Sequence, residues 1–175
     1  RILTFIIITF LFHTTLSAAH IVGGDVTYKC IESNPITKTT KFTVTFTIYR
    51  DANSGGAFFD NNAAFGVFQR SMNDNNWSHK ETIRSSPINI ETVPYDDKCV
   101  IVPPNIRVEK ANYIFDVVLP WSTNVFQITY QRCCRNATIN NLENPDQTGA
   151  AFSVEIFGNT IENCNNSPVF NKFPP

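Results

Sequence analysis

Nucleophilic catalysis needs a serine or cysteine within reach of a histidine that an acid orients. This chain of 175 residues has three histidines, His13, His20 and His79. His79 falls in the polar stretch Asn75-Asn76-Trp77-Ser78-His79-Lys80, and no serine sits in a nucleophile-elbow motif, so His79 reads as a solvated loop histidine. Glycoside hydrolysis needs two carboxylates facing across a cleft. Asp25, Asp51, Asp60, Asp96, Asp97, Asp116, Glu143 and Glu155 supply carboxylates, but several adjoin turns, where an Asp side chain bonds nearby backbone. The run most like a ligand site is Asp51-Ala52-Asn53-Ser54-Gly55 with Asp60-Asn61-Asn62 following, in which Asp51, Asn53 and Asp60 offer oxygens of the kind calcium takes. No acidic residue follows at the spacing of an EF-hand, and a tight turn accounts for the same residues, so the turn reading prevails and no cofactor is expected. The expectation is a noncatalytic protein.

Two aromatics, Trp77 and Trp121, are candidates for contact with a partner surface, glycan or protein, and each also suits a core. Arg132 and Arg135 flank adjacent cysteines and read as structural arginines that fork-bond carboxylates.

The beginning of the chain places these residues outside the cell. Arg1 precedes an apolar run from Ile2 to Phe12, and Ser17-Ala18-Ala19 supplies small residues, the order of a secretory signal peptide cut after Ala19. The run is shorter than the roughly 20 residues of a membrane span, so no span is expected in the mature chain. Removing residues 1–19 takes Arg1 and no acidic residue, so 14 basic against 15 acidic residues become 13 against 15, a net charge of −2. The scattered lysines and arginines form no run that neutralises phosphates, which sets nucleic acid aside as a partner. Arg1 in place of an initiator Met suggests a fragment.

The remaining residues read as one domain of strands. In Lys41-Phe42-Thr43-Val44-Thr45-Phe46-Thr47-Ile48-Tyr49, apolar residues alternate with threonines, the pattern of a half-buried strand. Shorter β-rich runs cover 21–30, 64–69, 88–93, 99–102, 112–119, 125–133 and 151–157, about eight strands in all. Turn chemistry separates them at Asn53-Ser54-Gly55-Gly56, Asn73-Asp74-Asn75-Asn76, Pro103-Pro104-Asn105 and Asn144-Pro145-Asp146. The fold class expected is all-β, an antiparallel two-sheet sandwich of immunoglobulin-like architecture over residues 20–162, with 15 phenylalanines supplying core volume. Residues 163–175, polar and ending in Pro174-Pro175, read as a linker towards a downstream domain of the same chain.

Five cysteines, Cys30, Cys99, Cys133, Cys134 and Cys164, in an exported chain predict disulfide bracing with the pairing open. Cys133 and Cys134 are adjacent in a predicted strand, where side chains alternate faces, so they are expected to take different partners or to leave one thiol free. No Cys-x-x-Cys pair accompanies them, and zinc is not expected.

The runs His20-Ile21-Val22-Gly23-Gly24-Asp25-Val26-Thr27-Tyr28, Ile48-Tyr49-Arg50-Asp51, Ile128-Thr129-Tyr130-Gln131-Arg132-Cys133-Cys134-Arg135-Asn136 and Asn166-Ser167-Pro168-Val169-Phe170 resemble the amino-terminal domain of large secreted proteins of Bacteroidetes. Such proteins commonly continue into immunoglobulin-like or PKD-like repeats and end in a gliding-motility-associated sorting domain. The resemblance implies a noncatalytic structural or adhesive module of a secreted or cell-surface protein; the rival expectation is a carbohydrate-binding module attached to a downstream enzyme. The family often carries cysteines where this chain has Ala52 and Arg107. Loss of both members of one disulfide implies that positions 52 and 107 are neighbours in the fold.

Overall fold

A computed structural model of the chain describes residues 21–54, 56–94, 107–133, 135 and 139–168. The predicted signal peptide, His20, the strand expected over 99–102, and Cys99 and Cys134 lie outside the described residues.

Alternation decides the first sheet. Strands β1 (Ile21–Asn34), β2 (Thr39–Asp51), β5 (Asn89–Thr92) and β6 (Val108–Pro120) form an antiparallel sheet in the order β1-β2-β6-β5. Along β2, Phe42, Val44, Phe46 and Ile48 point inward, and their partners on β6 are Val117, Phe115, Tyr113 and Ala111. The intervening Lys41, Thr43, Thr45, Thr47 and Tyr49 therefore share the outer face, since strand side chains alternate. Cross-strand pairs lock that face: Thr43 Oγ1 donates to Asp116 Oδ1 at 2.6 Å, Thr47 Oγ1 to Asn112 Oδ1 at 3.0 Å, and Lys41 Nζ lies 2.7 Å from Asp116 Oδ2.

The second sheet, in the order β4-β3-β7-β8, comprises β3 (Ala63–Arg70), β4 (Ser78–Ser85), β7 (Val125–Cys133) and β8 (Gly149–Phe157). A single turn of helix, α1 (Gly158–Ile161), follows β8, and two 3-10 turns, Ala52–Ser54 and Pro145–Gln147, sit in connections. The sheets pack face to face around Phe65, fully buried, whose ring lies 4.8 Å from Phe46, 4.6 Å from Phe115, 5.5 Å from Tyr113 and 5.3 Å from Tyr130. The two-sheet, all-β antiparallel sandwich matches the sequence expectation.

Two segments differ from it. Residues 78–85 form β4, so His79 sits on an edge strand of the second sheet and not in a loop. Its exposed ring accepts or donates at Nε2 with Thr82 Oγ1 at 2.9 Å and meets Phe68 edge-on. The charges of Lys80, Glu81 and Arg84 that concealed the strand are what a sheet edge needs to resist pairing with other chains. The described part of the segment read as a linker, 163–168, lies against β1. Ser167 N–H donates to the Tyr28 carbonyl at 3.0 Å, Tyr28 N–H to Ser167 Oγ at 2.9 Å and Cys30 N–H to Asn166 Oδ1 at 2.7 Å. A disulfide joins Cys30 to Cys164, with 5.2 Å between Cα atoms and a sequence separation of 134. The edge of β1 is thus closed by the chain's own later residues. Cys133 is also disulfide-bonded.

The expected closeness of positions 52 and 107 holds: the Ala52 N–H donates to the Arg107 carbonyl at 2.7 Å, continuing the β2–β6 ladder one step past Asp51 and Val108.

Candidate functional site

At one end of the outer face of the first sheet lies a concavity of about 490 Å³, lined by Gly23, Gly24, Asp25, Tyr49, Val93 and Lys110. Strand register explains the set. Gly23 is opposite Tyr49 across β1 and β2, Tyr49 is opposite Lys110 across β2 and β6, and Lys110 is opposite Glu91 across β6 and β5. Asp25 is one outward position along from Gly23.

The Tyr49 hydroxyl lies against the Asp25 carboxyl, and both groups titrate above their ordinary values, chiefly because burial disfavours their charged forms. Lys110, the nearby cation that works against this at Asp25, is itself 3.1 Å from Glu91 Oε2. Asp25 Oδ1 is the one buried side-chain oxygen or nitrogen among the described residues with no hydrogen-bond partner. A buried acceptor left unpaired costs roughly 1–3 kcal/mol, so natural folds rarely keep one without use. Gly23 adds to the space: a Cβ built there meets nothing within 4 Å, whereas one at Gly24 would press on Ile48 and Phe152 at 3.0 Å. At Gly24 β1 packs closely on β8, so an added methyl would require Ile48 and Phe152 to shift; Gly23 leaves a floor open to solvent.

Of the carboxylates named from sequence, Asp25 lines this concavity; the calcium candidates, the tryptophans and the arginines fall elsewhere. Asp51 Oδ1 accepts the Asn53 N–H at 3.0 Å, a local turn. Asp60 faces the other way: its Oδ2 accepts the Tyr130 hydroxyl at 2.6 Å, its Oδ1 lies 3.5 Å from Arg132, and its carbonyl accepts the Tyr113 hydroxyl at 3.0 Å. Tyr113 and Tyr130 come from opposite sheets, so this network pins the loop before β3 across the sandwich. Burial first, then the adjacent carboxylate, pushes Tyr113 up to about 12 and Tyr130 higher still. Among the described residues, no group of three or more His, Cys, Asp or Glu could hold a metal ion.

Arg132 also donates to the Phe58 carbonyl, and Arg135 Nε to the Gly149 carbonyl at 3.0 Å. Both arginines tie loops to strand ends. Trp121 packs against the core, with its indole N–H on Thr40 Oγ1 at 2.9 Å, and Trp77 is half-buried with the Arg70 guanidinium 5.0 Å over its ring. An aromatic that sequence reasoning missed is more open than either: Phe58 is 53% exposed and rests on the Arg50 guanidinium at 4.3 Å. Arg50 is held in turn by Glu109 at 2.8 Å, which also pairs with Arg107 at 3.0 Å. The signal available for Phe58 was its place in a Gly-rich loop; the stacking depends on the β2–β6 register.

The Asp25 concavity was equally hidden in sequence, because its members come from β1, β2 and β6 and the segment after β5. Its one local sign was the Gly23-Gly24-Asp25 run inside a strand, where glycine often marks a close approach. No family model, curated protein or solved structure matches this chain.

Proposed function

We propose that this chain is a noncatalytic extracellular module with structural and adhesive roles in a larger surface protein. The observation that carries the reading is the Cys30–Cys164 bridge, which joins the first strand to the segment after the last one and encloses nearly the whole sandwich in one covalent loop. Such bracing suits an oxidising compartment, where a disulfide persists and raises stability without cofactor or partner. The signal-peptide pattern of residues 1–19 and the resemblance of the Tyr130-Gln131-Arg132-Cys133-Cys134-Arg135-Asn136 run to secreted surface proteins support the same placement. The most strongly shifted groups, Tyr113 and Tyr130, bond to the loop at Asp60 and act as cross-links between sheets.

The test is made on intact cells producing the full chain. Extracellular protease should remove the protein without lysis, and purified protein should show no turnover on panels of glycan, peptide and ester substrates. Protection until lysis, or saturable turnover abolished by substitution of a pocket residue, would overturn the reading.

A further inference from the structure

We infer that the outer edge of β8 is a self-association surface, on which β8 pairs antiparallel with β8 of a second copy of this chain. Such pairing concerns assembly and goes beyond the function proposed above.

A sheet edge offers unpaired N–H and C=O groups to any other strand, and folds defend such edges with charge, bulges, cover or short length. Among the described residues, three of the four sheet edges are defended. β1 is covered at Tyr28 and Cys30 by Asn166 and Ser167, and its pairing with β2 is bulged near both ends. β4 carries Lys80, Glu81 and Arg84, and its pairing is bulged at Val67 and Phe68. β5 is only four residues long. β8 runs for nine residues in unbroken register with β7 and holds no lysine, arginine or proline. Its one charge, Glu155, lies 3.7 Å from Arg70, which offsets its repulsion of an approaching strand.

The phase of the β7–β8 ladder shows which groups face outward. Gly158 N–H donates to the Asn124 carbonyl at 2.7 Å, one step beyond the pair of Val125 with Phe157. Hydrogen-bonded and non-hydrogen-bonded pairs alternate in an antiparallel ladder, so the even-numbered residues of β8 bond to β7 and the odd-numbered ones direct N–H and C=O away from it. At the two ends the carbonyls are already taken, Gly149 by Arg135 Nε at 3.0 Å and Phe157 by Thr160 Oγ1 at 2.7 Å. Ala151, Ser153 and Glu155, between them, make no backbone bond to any described residue on that side.

Self-complementarity selects a second copy as the occupant. A two-fold axis at Ser153 sets Ser153 against Ser153, Ala151 against Glu155 and Gly149 against Phe157. The three inner pairs make about six backbone hydrogen bonds, within the roughly 5–15 of a specific interface. Paired serine hydroxyls can bond each other, and the exposed Phe157 ring covers a glycine that has no side chain of its own. Each Glu155 faces an alanine and keeps its own Arg70. The same outward groups allow axes at Ala151 or Glu155, but both shorten the ladder, and the second opposes two carboxylates. A two-fold pair consumes the open edge, and with the other edges defended assembly stops at two copies.

The experiment is sedimentation equilibrium of the full chain, with disulfide trapping as an independent reading of the register. Wild type should form a concentration-dependent dimer. Ser153→Lys changes an exposed side chain and sets two ammonium groups opposite each other, so it should raise the dimer dissociation constant at least tenfold with the circular dichroism spectrum unchanged. Hydrogen-bonded antiparallel partners stand about 5.5 Å apart between Cα atoms, within disulfide range. Ser153→Cys under a mild oxidant should therefore give a covalent dimer in a yield that neither wild type nor Ala151→Cys reaches. If Ser153→Lys fails to fold, trapping decides. A monomer at every concentration reached, a dimer indifferent to a folded Ser153→Lys, or trapping of Ala151→Cys as efficient as that of Ser153→Cys would overturn the assignment.

Discussion

Asp25 carries a stability cost that pH can expose. Burial raises its folded-state pKa above 3.8, so folding favours the protonated acid. The associated stability is fully present below the unfolded value and is lost as pH rises through the folded one. Asp25→Asn should therefore melt no lower than wild type at pH 7, and its advantage should shrink as pH falls towards 4; thermal unfolding monitored by circular dichroism across that range checks this. The tyrosines work at the other end. With Tyr113 raised to about 12 against 10 unfolded, their stabilisation holds below pH 10 and disappears as pH rises through 12. Tyr130→Phe deletes the donor to Asp60 and should cost roughly 1–3 kcal/mol in urea unfolding at pH 7. At this scale the sequence was a poor guide. Asp60 was visible as an oxygen donor, but that its partners would be Tyr130, Arg132 and Tyr113 depended on which loop crosses which sheet. Cys30 and Cys164 were visible as disulfide candidates, whereas their pairing needed the fold.

The strands were legible in proportion to how much of each is buried on one face. β2 announced itself because every second residue from Phe42 to Ile48 enters the core, and β6 follows the same rule, whereas β7 is buried at Val125, Phe126, Ile128, Thr129 and Tyr130 and reads as a continuous β-rich run. β4 did not: it pairs on one side only, most of its residues face solvent, and its sequence Ser-His-Lys-Glu-Thr-Ile-Arg-Ser lacks alternation. Phe65 on β3 stands at the centre of four rings, so Phe65→Ala should cost about 3–5 kcal/mol in chemical denaturation. Gly158 opens α1 where a Cβ would fall on the carbonyl oxygens of Ser122 and Asn124, backbone atoms that have no room to yield. Gly158→Ala should accordingly be among the most damaging single-methyl changes in the protein, and a melting curve suffices to show it. The β2–β6 ladder gives a constructive prediction as well. Antiparallel partners stand about 4.5–5.5 Å apart between Cα atoms, within disulfide range. The double variant Ala52→Cys with Arg107→Cys should oxidise spontaneously, seen as loss of two titratable thiols, and raise the melting temperature.

For the whole molecule, the decisive feature is where the chain closes on itself. β1 sits at the edge of the first sheet, and residues 164–168 return to cover that edge with backbone bonds and one disulfide. A pull applied at residues 21 and 168 would pass through the start of β1, cross from Cys30 to Cys164 and leave by 165–168. The covalent path bypasses residues 31–163, so load falls first on the pairing of β1 residues 21–30 with β2. The bridge thus protects residues 31–163 from extension, while the first ten residues of β1 stay exposed to load. The most direct measurement is single-molecule stretching of the full chain held near those two positions, with and without reductant. The account predicts that the oxidised protein yields only the short stretches outside the bridge, and that reduction releases a further length of about 450 Å as the 134-residue separation opens. Release of that full length from the oxidised protein would contradict it.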